Sequence, residues 1–433
     1  MHNITFSSPD LSSFCQLNTL GLVATGQHLS AGRAVIECRF TKAPEPCPKC
    51  TAPGVSRGTV DRQLAHAPYG QRSTRLLLRI RRWSCVCGCF WQEDTTSAAP
   101  ARSKLSYGAI RWALAAIVLD HLSVSRVAIH LGVAWHTANN AIINEGRRSL
   151  FNDPARLYGV TVLGVDEHVW RHTRRGDKYV TVVIDLTPVR NKTGPARLLD
   201  VLEGRSKQAF KQWLQSRPKP WRGQIESIAM DGFSGFKSAA EEVLPQAQTV
   251  LDPFHVVRWA STMLDDCRRR VQQDTQGRRG RKNDPLYKHR RTLLTRISYL
   301  SDANKKQIAR LFSDECHLEV DCSWSMYQRV VSAYNEPDRR RGKVLMQELI
   351  RIITASDVPT ALIEVKRLGN TLKKYAQSIL AYFDRPGTSN GPTEAINGRL
   401  EHLRGTALGF RNLTNYIARC LLESGGFRKQ LHP

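Results

Sequence analysis

Two short apolar runs in this chain enclose or end in an aspartate, and that combination restricts the fold more than any other feature. The first is Leu163-Gly164-Val165-Asp166-Glu167-His168-Val169-Trp170, and the second is Ile225-Glu226-Ser227-Ile228-Ala229-Met230-Asp231-Gly232. Both read as strands. A strand buried on both faces of a parallel sheet leaves no water for a carboxylate, so such an acid must be paired or hold a metal. A third acid stands in Asn390-Gly391-Pro392-Thr393-Glu394-Ala395-Ile396-Asn397-Gly398-Arg399-Leu400. Asn390 reads as an N-cap and Pro392 as a first-turn residue, which puts Glu394 near the start of a helix, with Asn397 one turn on. A first-turn carboxylate can simply complement the helix dipole. Two strand acids with one helix acid are nevertheless what a two-metal phosphoryl-transfer site requires. Hard divalent cations take oxygen ligands, and a pair of them clamps the attacking and leaving oxygens.

The stretches around these acids predict strands at 163–170, 179–186 and 197–202, a helix at 206–215, a strand at 225–230, a helix at 235–243 and a strand at 249–251. Three successive strands followed by alternating helix and strand imply a mixed sheet with helices on both faces. Asp185 on the second strand is a weaker acid candidate. Asp252-Pro253-Phe254-His255 follows the last strand, and His255 there is either structural or a partner for a scissile phosphate. From 256 to 384 the pattern is helical and carries basic runs at Arg268-Arg269-Arg270, 278–282, 288–291 and 339–343. Asp231 and Glu394 are too far apart in sequence for a direct connection, so this stretch reads as a helical insertion. Its basic runs line a DNA path or are solvated faces.

Lys and Arg exceed Asp and Glu by 26 charges in 433 residues, which points to a polyanionic partner. The first thirty residues lack a basic start and apolar run, and the longest uncharged apolar stretch, 112–119, is too short for a bilayer. A cytoplasmic, nucleoid-associated location of bacterial type is expected. Eleven cysteines in that compartment indicate metal rather than disulfides. Cys47-Pro48-Lys49-Cys50 and Cys85-Val86-Cys87-Gly88-Cys89, with strand-like 59–65 and 75–83 between them, have zinc-ribbon spacing. Cys47, Cys50, Cys85 and Cys89 are the expected ligands of one structural Zn²⁺, with Cys87 a substitute. Downstream, a helix at 107–122, a short helix at 124–131 behind Ser123, a Gly132-Val133 turn and a helix at 134–144 match a helix-turn-helix or a plain helical hairpin. In the first reading Trp135, His136, Thr137, Asn139 and Asn140 face DNA, and Arg147 and Arg148 reach phosphates. Arg399 and Arg404 are further phosphate candidates.

Asp166 in GVDEHVWR, Asp231 in MDGFSGF, the LDPFHVV run, Glu394 in SNGPTEAINGRL and the tail LRGTALGFRN together resemble the insertion-sequence transposases with a DDE triad, of the ISL-three group. The resemblance covers nearly the whole chain. It implies a ribonuclease-H-like mixed-sheet catalytic core with an all-α insertion, preceded by a zinc ribbon and a helix-turn-helix. It also implies Asp166, Asp231 and Glu394 as catalytic residues on two Mg²⁺ (or Mn²⁺), with His255, Asp252 and Asn397 supporting. The expected division is an amino-terminal segment 1–40, a zinc ribbon 41–100, a helix-turn-helix 101–155, a catalytic domain of 156–260 and 385–433, and an insertion 261–384. The expected activity is binding of the element's terminal inverted repeats, with metal-dependent strand cleavage and transfer into target DNA by a dimer or larger synaptic assembly. A transposase-derived DNA-binding regulator without catalysis and a structure-specific nuclease remain as alternatives.

Overall fold

Two separate five-stranded sheets, each in its own unit, organise the computed structural model, which describes residues 8–43, 45–173, 176–278 and 280–431. One unit is Met1–Arg156 with His402–Pro433, and the other is Leu157–Glu401. The expectations that touch residues 1–7 and Arg279 of the basic run fall outside the described residues. Among those described, no helix is long and apolar enough to cross a membrane.

In the first unit the strands are β1 Leu22–Ser30, β2 Arg33–Phe40, β3 Val55–Tyr69, β4 Arg72–Ser84 and β5 Phe90–Gln92. They lie in the order β1-β2-β4-β3, with β5 on β4, and β2 runs parallel to β4. The expected boundary at residue 40 therefore does not separate a segment from a ribbon, since 33–40 belongs to the same sheet as the ribbon's long hairpin. The alternation in β4 turns Leu76, Leu78 and Ile80 inward against Leu17, Leu22 and Leu64, and leaves Arg75, Arg79 and Arg81 on the other face. Ser106 and Ser123 cap the helices Tyr107–Val118 and Val124–Leu131, accepting from Ala109 N and Arg126 N, and each cap is worth about 1 kcal/mol. Gly132 ends the second of these in the left-handed region, at φ +61°, and the helix Trp135–Gly146 follows.

The carboxyl-terminal stretch corrects the expected division. Residues 402–433, assigned from sequence to the catalytic domain, group with the first unit. Their helix Leu413–Ser424 packs on Tyr107–Val118 and Trp135–Gly146, burying Tyr416, Cys420 and Leu422. Gly146 makes room for it, because a Cβ there would stand 3.3 Å from Leu422 Cδ2.

The second unit holds β6 Val162–Val169, β7 Tyr179–Asp185, β8 Arg197–Glu203, β9 Ser227–Met230 and β10 Gln248–Leu251, in the order β10-β9-β6-β7-β8. β7 is antiparallel to β6 and β8, while β9 and β10 run parallel to β6. Val162–Val165 and the whole of β9 are buried, as strands covered on both faces must be. The helices Lys207–Gln215 and Ser234–Val243 pack over the sheet through Phe210 and Phe236, both fully buried, with rings 5.7 Å apart. Each ring contributes roughly 2–3 kcal/mol by burial. Asp185, the weaker acid candidate, bonds Arg197 Nε and Thr187 N, both at 2.9 Å, and is structural.

After Leu251 the chain enters the 24-residue helix Pro253–Gln276 and then Leu318–Asn335, Arg339–Ile353, Ile363–Lys374 and Ala376–Asp384, with shorter helical turns among them. These helices share a core of their own around Met263, Leu264, Val330 and Leu349. Their basic runs are partly spent on that packing. Arg268 and Arg269 pair with Asp265, Arg270 pairs with Glu364 and Glu319, and Arg278 pairs with Asp284. The excursion closes where it began: Asn390 N donates to Asp252 Oδ1 at 3.2 Å across 138 positions.

Candidate active site

Strand register assembles the site. Val165 pairs with Met230 between β6 and β9, and Met230 pairs with Leu251 between β9 and β10. One residue further along each strand stands Asp166, Asp231 and Asp252. Three carboxylates thus form a row across neighbouring parallel strands, just past the carboxyl ends of β9 and β10 and beside the middle of the longer β6, on the side where open α/β sheets bind ligands. Burial, then the charge of Asp231, pushes Asp166 up to about 7, and burial likewise raises Asp231. His255, in the first turn of Pro253–Gln276, has Nδ1 3.6 Å from Asp252 Oδ2, a Coulombic rather than hydrogen-bonded separation. Asp252 raises its pKa, with Asp231 and Asp166 adding to the effect. His255 thus places an imidazole of raised basicity beside the row.

The helix Gly391–Thr406 closes over these acids. Gly164 permits the approach, since a Cβ there would lie 2.7 Å from Thr393 Oγ1. Asn390 and Asn397 both donate through Nδ2 to Asp166 Oδ2, at 3.3 and 3.1 Å. Asn390, read from sequence as an N-cap, is a missed site residue: its side chain reaches the acid, and its Oδ1 has no partner. Residues 390, 394 and 397 share one helical stripe, so Glu394 stands between the two asparagines that touch Asp166. The Glu394 side chain is exposed. The three acids do not form a compact ligand group among the described residues. The orphaned, buried Oδ1 atoms of Asn390 and Asn397, beside two carboxylates raised by burial, are acceptor-rich surroundings that fit a hydrated hard cation.

The compact ligand group is elsewhere. Sγ atoms of Cys47, Cys50, Cys85 and Cys87 all lie within 4.8 Å of one another, with Cys50–Cys85 at 3.3 Å and Cys47–Cys87 at 3.6 Å. Tetrahedral thiolates at about 2.3 Å from Zn²⁺ stand about 3.8 Å apart, so these residues fit zinc. Cys87, not the expected Cys89, completes the set. Cys85 and Gly88 close a turn (Gly88 N to Cys85 O, 2.9 Å; Gly88 φ +80°) that brings residue 87 back beside residue 85, while Cys89 leads into β5.

The family profile described as Transposase, of the DDE type in the ISL-three group, matches residues 163–420, a span that includes all three acids and both asparagines. The chain belongs to that family. It is 25% identical over 320 residues to the transposase for insertion sequence element IS1557 of Mycobacterium tuberculosis, covering 69% of this chain and 68% of that protein. It is 28% identical over 196 residues to the transposase for insertion sequence element IS1001 of Bordetella parapertussis, covering 45% of this chain and 44% of that one.

The DNA-facing residues expected of this transposase divide by helical face. Trp135, His136 and Asn140 are exposed on Trp135–Gly146, and Thr137 is half-buried. Asn139 is buried with Ala138, Ile142 and Ile143 on the packing face. Arg147 is exposed, whereas Arg148 is held by Glu145 at 2.6 Å. Arg399 is exposed. Arg404 is buried.

Proposed function

We propose that this transposase binds the terminal inverted repeats of its own insertion sequence and catalyses metal-dependent strand cleavage and strand transfer on a ribonuclease-H-like core. The observation that carries the reading is the row of Asp166, Asp231 and Asp252, closed by the helix stripe Asn390–Glu394–Asn397. The strand order, with an antiparallel trio flanked by two parallel strands, supports the core assignment.

Asp166, Asp231 and Glu394 would hold two Mg²⁺ or Mn²⁺, which supply Lewis-acid stabilisation to the oxygens of an in-line phosphoryl transfer. Asn390 and Asn397 orient Asp166 and favour its ionised form by donating to Oδ2. His255 offers positive charge at the edge of the row, suited to a non-bridging phosphate oxygen. Asp252 fixes His255 and anchors the start of the catalytic helix. No protein nucleophile is required, because positioning and electrostatics dominate phosphoryl transfer. The amino-terminal unit, with one Zn²⁺ on Cys47, Cys50, Cys85 and Cys87, would read the repeats through Trp135–Gly146. Joining two ends requires at least two copies of the chain.

The test is a cleavage and joining assay on DNA carrying the gene's flanking sequences, with Mg²⁺ supplied or withheld. Cutting at the ends followed by joining, lost in Asp166→Asn, Asp231→Asn and Glu394→Gln while end binding persists, is expected. Tight binding without cutting under Mg²⁺ or Mn²⁺ would replace the reading with a regulator. Cutting without joining would replace it with a nuclease.

A further inference from the structure

Within the first unit lies a cavity of about 880 Å³ that no part of the catalytic reading uses. Three helix starts line it: Ser123–Ser125 of Val124–Leu131, Trp135 and His136 of Trp135–Gly146, and Asn412 with Asn415 of Leu413–Ser424. Each start presents the positive end of a helix dipole and first-turn N–H groups. Ser123 and Asn412 cap their own helices, but Ala134 gives the Trp135 helix no side-chain acceptor.

The second observation is Arg419. It lines the same cavity at 6% exposure, and its Nη1 is buried without any partner. Glu423, one turn on, acts on it electrostatically, but that carboxylate is engaged by His121 Nδ1 at 2.9 Å. A buried guanidinium with an unmatched N–H is costly unless an acceptor arrives. Arg411 on the rim adds charge of the same sign. The opposing contribution is the carboxyl end of Gly391–Thr406, where His402 and Thr406 also face the cavity. The balance favours an oxyanion.

We propose that this cavity is a phosphodiester site, taking a backbone phosphate of the bound duplex against Arg419 and the three helix starts. The proposal rests on the reading of Trp135–Gly146 as the DNA-contacting helix. It gives the carboxyl-terminal segment 407–419 a part in end binding: the segment walls one side of the place where the helix-turn-helix begins.

Fluorescence anisotropy of the full chain on a flanking-sequence duplex and a scrambled duplex, over a range of KCl, tests it. Arg419→Gln should weaken binding to both duplexes about tenfold and lower the slope of log affinity against log salt by about one. Arg411→Ala, an exposed change, should move the slope the same way. An unchanged slope in Arg419→Gln with wild-type melting overturns the proposal. If that variant melts early, an unchanged slope in Arg411→Ala overturns it. Inorganic phosphate that raises the melting temperature of the wild type but not of Arg419→Gln, with DNA slopes equal, would mark a free-oxyanion pocket and overturn the duplex assignment. The underlying reading is checked separately by Asn140→Ala, which lies outside the cavity lining. It should reduce discrimination between duplexes and keep the slope, and wild-type binding that does not distinguish them would strike that reading alone.

Discussion

Asn397 Nδ2 donates to Asp166 Oδ2 at 3.1 Å, joining two residues 231 positions apart in the chain. Asn390 donates to the same oxygen, so one carboxylate oxygen takes an amide from the helix Gly391–Thr406 and another from the residue just before it. Asn390→Ala and Asn397→Ala should each slow strand cleavage about ten- to a hundredfold, the usual effect of removing a group that orients a metal-binding carboxylate. Binding to end fragments, measured in parallel, should stay within about twofold of wild type.

Asp166 gives a pH dependence whose sign is fixed. Its folded value of about 7 lies above the ordinary 3.8, so the folded chain keeps a proton that the unfolded chain releases. The stability from that proton is complete below about pH 4 and is lost as pH rises through 7, amounting to at most about 4 kcal/mol. In Mg²⁺-free buffer, Asp166→Asn should therefore melt above wild type at pH 8 and level with it near pH 4. Divalent-cation affinity of the wild type should rise across the same interval, because cation and proton compete. Calorimetric melts and a Mn²⁺ titration at each pH check both.

Gly164 and Thr393 set how closely the helix Gly391–Thr406 meets β6. Gly164→Ala places a methyl 2.7 Å from Thr393 Oγ1 and 3.1 Å from Leu186 Cδ1, so the helix must shift. Cleavage should fall about a hundredfold, since about 1 Å of misplacement costs that much. Adding Thr393→Ala, which removes the contacted oxygen, should restore part of the rate; no recovery in the double variant would assign the loss to something other than this contact.

The cysteine group separates two neighbouring thiols. Cys87→Ser should lose zinc, read as metal content after gel filtration, and lower the melting temperature of the amino-terminal unit. Cys89→Ser should retain about one zinc per chain with little change.

Much of the second unit could be read from residue patterns. An aspartate at the end of an otherwise apolar strand has few explanations, and register then carried Asp166 and Asp231 side by side. Asn390 was hidden because an asparagine before Gly-Pro is a plausible helix cap, and only tertiary approach shows its amide turned to Asp166 instead. The grouping of the tail with the first unit is not legible in the sequence, because Tyr416, Cys420 and Leu422 are buried against helices far earlier in the chain, Tyr107–Val118 and Trp135–Gly146. The burial of Asn139 and Arg404 is illegible in the sequence for a related reason. A polar residue on a helix is assumed to face out, and the burial of its face depends on what packs there.

The bond from Asn390 N to Asp252 Oδ1 has one more consequence. It ties the exit and return of the long helical excursion beside the aspartate row, where the Thr249 and Ser378 hydroxyls, 2.7 Å apart, and Tyr375 Oη, donating to Gly232 O at 3.4 Å, join excursion and sheet as well. The helix Ala376–Asp384 packs on β10, so the excursion is braced against the strands that carry the acids. A change in how those helices pack is therefore transmitted to the positions of Asp231 and Asp252.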